Sequence, residues 1–136
     1  MFKSYVKKFV KVKKGKIFCR VGGKGIPLLL LHGYPQTHLM WHKTAHHLAK
    51  NFTVIAADIR GYGSSLVLKG DNKHLNYSKR EMAKDMVQLM DNLGYKKFFI
   101  AGHDRGGRVA HRLARDYRKK VIAMSVLDIC PTLDMY

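Results

Sequence analysis

Asp104 stands among glycines, in Gly102-His103-Asp104-Arg105-Gly106-Gly107. The apolar run Phe98-Phe99-Ile100-Ala101 leads into it, and the helix-forming segment Arg108-Val109-Ala110-His111-Arg112-Leu113-Ala114 leads out. Strand, tight turn and helix make the context of a nucleophile elbow, where a reactive side chain stands at the top of a parallel sheet. The familiar pattern is G-x-S-x-G. Here the central residue is a carboxylate, which attacks carbon directly and leaves an ester on the protein. The plainer role for an Asp at a helix start is the N-cap. Two features favour the nucleophile. Gly102, Gly106 and Gly107 remove side chains from the turn, as a strained elbow requires. The residue also faces three other loops of unusual composition.

In an open α/β sheet, ligands bind beyond the carboxyl ends of the strands. Loops at 32–35, 58–65 and 128–131 end strands there, beside the elbow. Arg105 and Arg108 lie three apart on the elbow helix, so both can turn toward one pocket mouth. Two guanidinium forks suit a small carboxylate; solvated arginines are the alternative in so basic a chain. Asp128 follows Asp104 by one helix and one strand, which places it at the end of the adjacent strand, about 5 Å away. It could orient a histidine base, or bond its own backbone ahead of Pro131; both readings stay open. Tyr34 follows His32-Gly33, a loop whose backbone N–H groups are placed to form half of an oxyanion hole. His38 and Trp41 could line the pocket, Trp41 equally being core. His103 reads as a packing or hydrogen-bonding residue, with its side chain directed away from that of Asp104. The other histidines, His42, His46, His47, His74 and His111, show no metal-ligand spacing.

The elements that must position these residues can be read from apolar runs and turn residues. Strands are expected over 9–13 and 16–20, with Gly15 in the turn between them. The run 27–32 and the run 52–57 read as strands buried on both faces. Thr37 can cap a helix to about Lys50, with Met40, Trp41, Thr44, Ala45 and Leu48 on one face. The stretch 66–76 is polar and irregular. Ser78 and Glu81 form a capping box, behind which Met82, Met86, Leu89, Met90 and Leu93 keep helical spacing until Gly94 stops the helix. After the elbow helix, 121–127 reads as a last buried strand. A hairpin followed by repeated strand and helix predicts an α/β fold with a mostly parallel sheet of about six strands.

The 136 residues suffice for one modest domain. The net charge of +17 comes from 26 Lys and Arg against 9 Asp and Glu, and raises the question of a nucleic-acid or membrane partner. The densest cluster, Lys7, Lys8, Lys11, Lys13, Lys14 and Lys16, alternates with apolar residues. That pattern reads better as the solvated face of an edge hairpin than as a binding stripe. No nucleic-acid-binding signature accompanies it, and neither a nucleic-acid nor a membrane partner is expected. The longest apolar run is too short to span a bilayer, and the start carries no secretory pattern. Cys19 and Cys130, in apolar surroundings, read as reduced core thiols of a cytoplasmic protein.

Four segments together are recognisable: His32-Gly33-Tyr34-Pro35-Gln36-Thr37, Asp58-Ile59-Arg60-Gly61-Tyr62-Gly63-Ser64-Ser65, the elbow through Arg112, and Leu127-Asp128-Ile129-Cys130-Pro131-Thr132. They resemble the α/β-hydrolase superfamily, most closely the haloacetate (fluoroacetate) dehalogenases, with epoxide hydrolases and haloalkane dehalogenases further off. Arg105, where epoxide hydrolases usually carry Trp, favours the haloacetate group. The resemblance implies the α/β-hydrolase fold, a haloacetate-like small-molecule substrate, and neither metal nor cofactor. It implies that Asp104 displaces halide from the α-carbon, Arg105 and Arg108 hold the substrate carboxylate, and Tyr34 lies at the pocket floor. A His then activates water to cleave the ester, with Asp128 orienting that His. Family members continue past the Asp128 strand with a helical cap, two more strands and the His; no residue here matches that His. The expectation is that 1–136 is the N-terminal part of such a domain, truncated before the cap and last strands. A second chain would then bring the cap and the His. The alternatives are an epoxide hydrolase or other α/β-hydrolase, a catalytically inactive remnant, and a basic binding module.

Overall fold

Leu28, Leu29, Leu30 and Leu31 form an unbroken apolar run, and a strand made of it must be covered on both faces. The computed structural model describes residues 1–130 and places this run inside a six-stranded sheet. In chain order the elements are β1 (Val6–Val12), β2 (Gly15–Gly22), β3 (Ile26–Leu31), a 3-10 turn (His38–Trp41), α1 (His42–Leu48), β4 (Phe52–Ala57), α2 (Lys79–Asn92), β5 (Phe98–His103), α3 (Arg105–Asp116) and β6 (Val121–Leu127). Across the sheet the order is β1-β2-β4-β3-β5-β6. The β1–β2 and β2–β4 pairs are antiparallel; β4–β3, β3–β5 and β5–β6 are parallel. Pro131 and Thr132, part of the last sequence motif, lie outside the described residues.

Alternate residues of each central strand face opposite layers. Leu29, Leu31, Ile55 and Ala57 join Met82, Met86, Leu89 and Met90 of α2 and Val109, Ala110 and Leu113 of α3 in one core. Leu28, Leu30, Val54 and Ala56 join Phe2, Tyr5, Trp41 and Ala45 in a second core on the other face. The Tyr5 hydroxyl donates to the Ala45 carbonyl at 2.8 Å, fixing the N-terminal segment over α1. Cys19 is buried, and burial pushes its thiol up to about 12, aided by Asp58 and opposed by Lys8. It is an inert core thiol. No helix among the described residues is long and apolar enough to cross a membrane.

Several expectations change in detail. The segment after Thr37 is a 3-10 turn followed by a short helix, and Thr44 is exposed on it. Only half of the capping box forms: the Ser78 hydroxyl accepts from the Glu81 N–H at 3.3 Å, while the Glu81 carboxylate turns to Lys84 and Lys14. The β6 strand is not buried. Ile122, Met124, Val126 and Leu127 are exposed, because β6 is the sheet edge and, among the described residues, α3 is the one helix packed against it. Cys130 is likewise exposed, so it is no core thiol.

One polar contact ties the 58–65 loop to α2. Arg60 and Asp85 are 1% and 2% exposed. The Arg60 Nε and Nη2 donate to the two Asp85 oxygens at 2.7 Å each, and Nη1 donates to the Asn76 carbonyl. Removing one member of a buried pair strands the other charge, at a cost of about 3–5 kcal/mol. Asp85→Asn is therefore expected to lower the urea-unfolding free energy by about that amount, and Arg60→Met with Asp85→Leu by clearly less. Equal losses in the single and double variants would show that the pair does not act as a unit.

Candidate active site

Asp104 follows β5 and precedes α3 with φ +47° and ψ −114°, a left-handed backbone that non-glycine residues rarely adopt. Its N–H donates to the Leu127 carbonyl of β6 at 3.1 Å, and its carbonyl accepts from the Arg108 N–H at 3.2 Å. Its side chain makes no capping bond to α3. The N-cap alternative therefore fails for this residue, and the carboxylate is left at the carboxyl end of the sheet. The glycines act as expected. A Cβ at Gly106 would fall 2.4 Å from the Leu31 carbonyl oxygen, and one at Gly102 would fall 2.3 Å from that of Gly106. Neither contact is sterically tolerable, so β3, β5 and α3 can meet here only through glycine.

Arg105 and Arg108 come together as their spacing suggested. With Asp104 and Lys79 they line a pocket of about 250 Å³. The Arg105 guanidinium lies 5.3 Å from the Tyr34 ring centre and 6.0 Å from that of Tyr62, within cation–π range of both. It is held by two loops rather than waving in solvent. Lys79, the first residue of α2, was not singled out by the sequence, although the Ser78 cap before it was. Burial lowers the Lys79 ammonium below the ordinary lysine value; Arg105 and Arg108 lower it further, and Asp104 pulls it back up. Lys79 and Arg108 also border a larger groove of about 700 Å³ between α3 and β6, floored by Met124, Val126 and Ile129.

Tyr34 is 63% exposed, at the rim beside Arg105 rather than on a closed floor. The Gly33 N–H, one of the expected oxyanion donors, bonds the Gln36 Oε1 at 3.2 Å. Gly33 itself sits tight against the elbow, where a Cβ would lie 2.7 Å from the Asp104 Cβ. His38 and Trp41 do not line the pocket. The 3-10 turn carries both into the opposite layer, where Trp41 joins the core and His38 packs against Phe2 and Phe18. There the His38 backbone N–H and ring Nδ1 meet the Asp58 Oδ1 at 2.7 and 2.8 Å, and the Ser64 N–H donates to Oδ2 at 3.0 Å. Burial alone would raise the Asp58 carboxyl, but these hydrogen bonds outweigh it and hold the group below its usual range.

Asp128 stands at the end of β6, next to the elbow strand, with φ +50° and a side chain 92% exposed. Among the described residues, the recorded contact of its carboxylate is the His103 Nε2 at 3.7 Å. The His103 Nδ1 meets the Gln36 Oε1 at 3.1 Å, so His103 bridges the loop after β3 to the end of β6. Among the described residues no group of three His, Cys, Asp or Glu side chains could hold a metal ion. A carboxylate that makes no capping bond can attack an electrophilic carbon, and the three cations that line the same pocket can attract an anion.

Residues 26–135 match the family model for the alpha/beta hydrolase fold. Over all 136 residues the chain is 48% identical to a fluoroacetate dehalogenase of Burkholderia sp., spanning 45% of that protein. Over 111 residues, 82% of the chain, it is 43% identical to the soluble epoxide hydrolase of Corynebacterium sp. strain C12, spanning 37% of it. The chain thus spans less than half the length of these curated relatives. A crystal structure of a candidate alpha/beta hydrolase from Nostoc sp. PCC 7120 superposes with a TM-score of 0.98 at 53% identity, covering 100% of this chain and 47% of that one. A mutant of a candidate epoxide hydrolase from Pseudomonas aeruginosa, with bound MFA, gives 0.91 at 44% identity, covering 98% and 44%.

The loop before the site also fixes a pH dependence. His32 is fully buried, with Nδ1 facing the Gly33 carbonyl at 2.8 Å and Nε2 accepting from the Ile59 N–H at 3.1 Å. That pair of partners suits a neutral ring protonated on Nδ1. Burial lowers its pKa, against smaller upward pulls from the Gly33 carbonyl and Asp58; His38 adds a further lowering. Below about 6.5 the unfolded chain therefore binds a proton that the folded chain refuses, and stability rises with pH across that window. The unfolding free energy should fall as pH drops from 7 toward 5. In His32→Gln that slope should flatten by up to about 1.4 kcal/mol per pH unit; an unchanged slope would remove His32 as its source.

Proposed function

Because the chain belongs to the alpha/beta hydrolase fold family, we propose that it carries the nucleophile half of a haloacetate-dehalogenase-type active site. The observation that carries this reading is the Asp104 carboxylate, uncapped on a strained turn, in one pocket with Arg105 and Arg108. In the first step an Asp104 oxygen attacks the halogen-bearing carbon. The new C–O bond forms as the carbon–halogen bond breaks, and halide leaves with the bonding pair. Arg105 and Arg108 hold the substrate carboxylate and so aim the carbon at Asp104. The resulting ester is cleaved by water attacking the Asp104 carbonyl carbon. A His base takes the water proton, and glycolate and the free carboxylate are produced.

Asp128 is assigned the acid that orients this His. Its place at the end of the strand beside the elbow supports that role. The His is not among the residues of this sequence that match the family pattern, so the proposal takes it from outside these 136 residues, on a further segment or a second chain. An epoxide hydrolase is the second reading, favoured by the 43% identity to the Corynebacterium protein. An epoxide is neutral, however, and three cations around one carboxylate suit an anion better.

The test is alkylation of Asp104. In a Cys130→Ser background, which removes the exposed thiol, chloroacetate should place one carboxymethyl ester on Asp104, read by intact mass and peptide mapping. One equivalent of halide should be released. Asp104→Asn should abolish both. Replacing Arg105 or Arg108 by Leu should slow ester formation about 10- to 100-fold, the worth of one charge-assisted hydrogen bond. Neither halide nor adduct from the unaltered site would sink the proposal, and adduct formed faster with a neutral epoxide would favour the second reading.

A further inference from the structure

We propose that Lys79 is a third anion-binding residue of the Asp104 site, and that its charge makes the site choose ligands by negative charge. The inference rests on the reading above for its chemistry, but on this pocket alone for its anion. The pocket is lined by Lys79, Asp104, Arg105 and Arg108. Lys79, Arg105 and Arg108 bring three positive charges to this lining and Asp104 one negative charge.

Nothing in the fold requires a lysine there. Position 79 is the first residue of α2, where the helix macrodipole disfavours a cation. The half-buried ammonium is repelled by Arg105 and Arg108 and attracted by Asp104. Among the described residues it makes no hydrogen bond or ion pair, in contrast to Lys14, Lys84 and Lys120, each of which reaches a carboxylate. Like charges gathered at one pocket cost stability, and such arrangements gather at functional sites. An incoming anion relieves the repulsion; a neutral ligand of the same shape does not. Guanidinium forks suit the two oxygens of one carboxylate, and Lys79, as a point charge on a flexible stem, strengthens the field that draws it in.

The test uses the full chain in the Cys130→Ser background and three probes: acetate as an unreactive anion, chloroacetate, and neutral chloroacetamide. Acetate binding is followed by amide chemical shifts around the elbow. Lys79→Met is expected to weaken acetate about tenfold, the loss of one charged partner, and Lys79→Arg to restore it. For chloroacetate, Lys79→Met should raise the half-saturating concentration for Asp104 esterification by a similar factor, with little change in the limiting rate. Chloroacetamide should be affected less than twofold. Melting curves confirm folding, and Lys79→Gln replaces Lys79→Met if that variant unfolds.

Acetate binding equal in the parent chain and Lys79→Met, or absent in both, overturns the proposal whatever happens to Asp104. Equal effects on chloroacetate and chloroacetamide overturn the charge selection. If Asp104 is never esterified while Lys79→Met still weakens acetate, the anion site stands and the dehalogenase reading falls.

Discussion

The backbone of Asp104 is the constraint on which the site depends. A non-glycine residue at φ +47° and ψ −114° costs about 1–3 kcal/mol and persists only where its surroundings over-determine it. They do so from three sides. Leu127 of β6 accepts its N–H, Arg108 of α3 donates to its carbonyl, and Gly106 lets α3 approach the Leu31 carbonyl of β3. The turn is therefore possible only with β5 between β3 and β6, which is the order observed. The same strain releases the carboxylate. A relaxed N-cap Asp would spend its oxygens on the first amides of α3, whereas here no such bond forms and the side chain is available for chemistry.

A second level of the structure fastens the loops that surround this turn. The chain has 9 acidic residues against 26 basic ones, so each buried carboxylate is a scarce resource. Two of them hold the 58–65 loop. Asp58 gathers His38 and Ser64 at its base, and Asp85 of α2 takes the Arg60 fork. The loop so fixed presents Tyr62, which packs against His32 and reaches Arg105. The same loop thus meets the middle of α2 through Arg60 and the arginine beside the nucleophile through Tyr62. The start of the same helix supplies Lys79. Placement of α2 therefore bears on the site twice, although none of its apolar residues touches the pocket.

Much of this was legible in the sequence, and the misses share a cause. The leucine run of β3, the glycine-framed Asp104, the Ser78 cap and the Gly94 stop are local signals, and each element formed where they pointed. Local pattern does not say what lies opposite. The apolar run 121–127 reads the same as a central strand, yet it forms the sheet edge and stands exposed. His38 and Trp41 follow the site loop closely in sequence, but one 3-10 turn rotates them into the other layer. The Arg60–Asp85 pair and the Lys79 ammonium are meetings between segments about 20 to 30 residues apart. The available hint was an Asp on the apolar face of α2, where an unpaired carboxylate has no place.

The two arginines and the lysine are not equivalent donors, and the difference follows from how each is held. Arg105 lies within reach of the rings of Tyr34 and Tyr62, so its planar fork is oriented before any ligand arrives. Binding then costs little further side-chain entropy, which is the advantage of a preorganised site. Arg108 sits one turn along the same helix and borders both the small pocket and the larger groove. Lys79 reaches the pocket from the start of α2, with four rotatable carbons between its backbone and its charge and, among the described residues, no hydrogen bond on its ammonium. Geometry in the site is thus fixed by Arg105, while Lys79 adds field without direction. A flat, bidentate carboxylate gains from both contributions, and a spherical anion of the same charge gains from only the second.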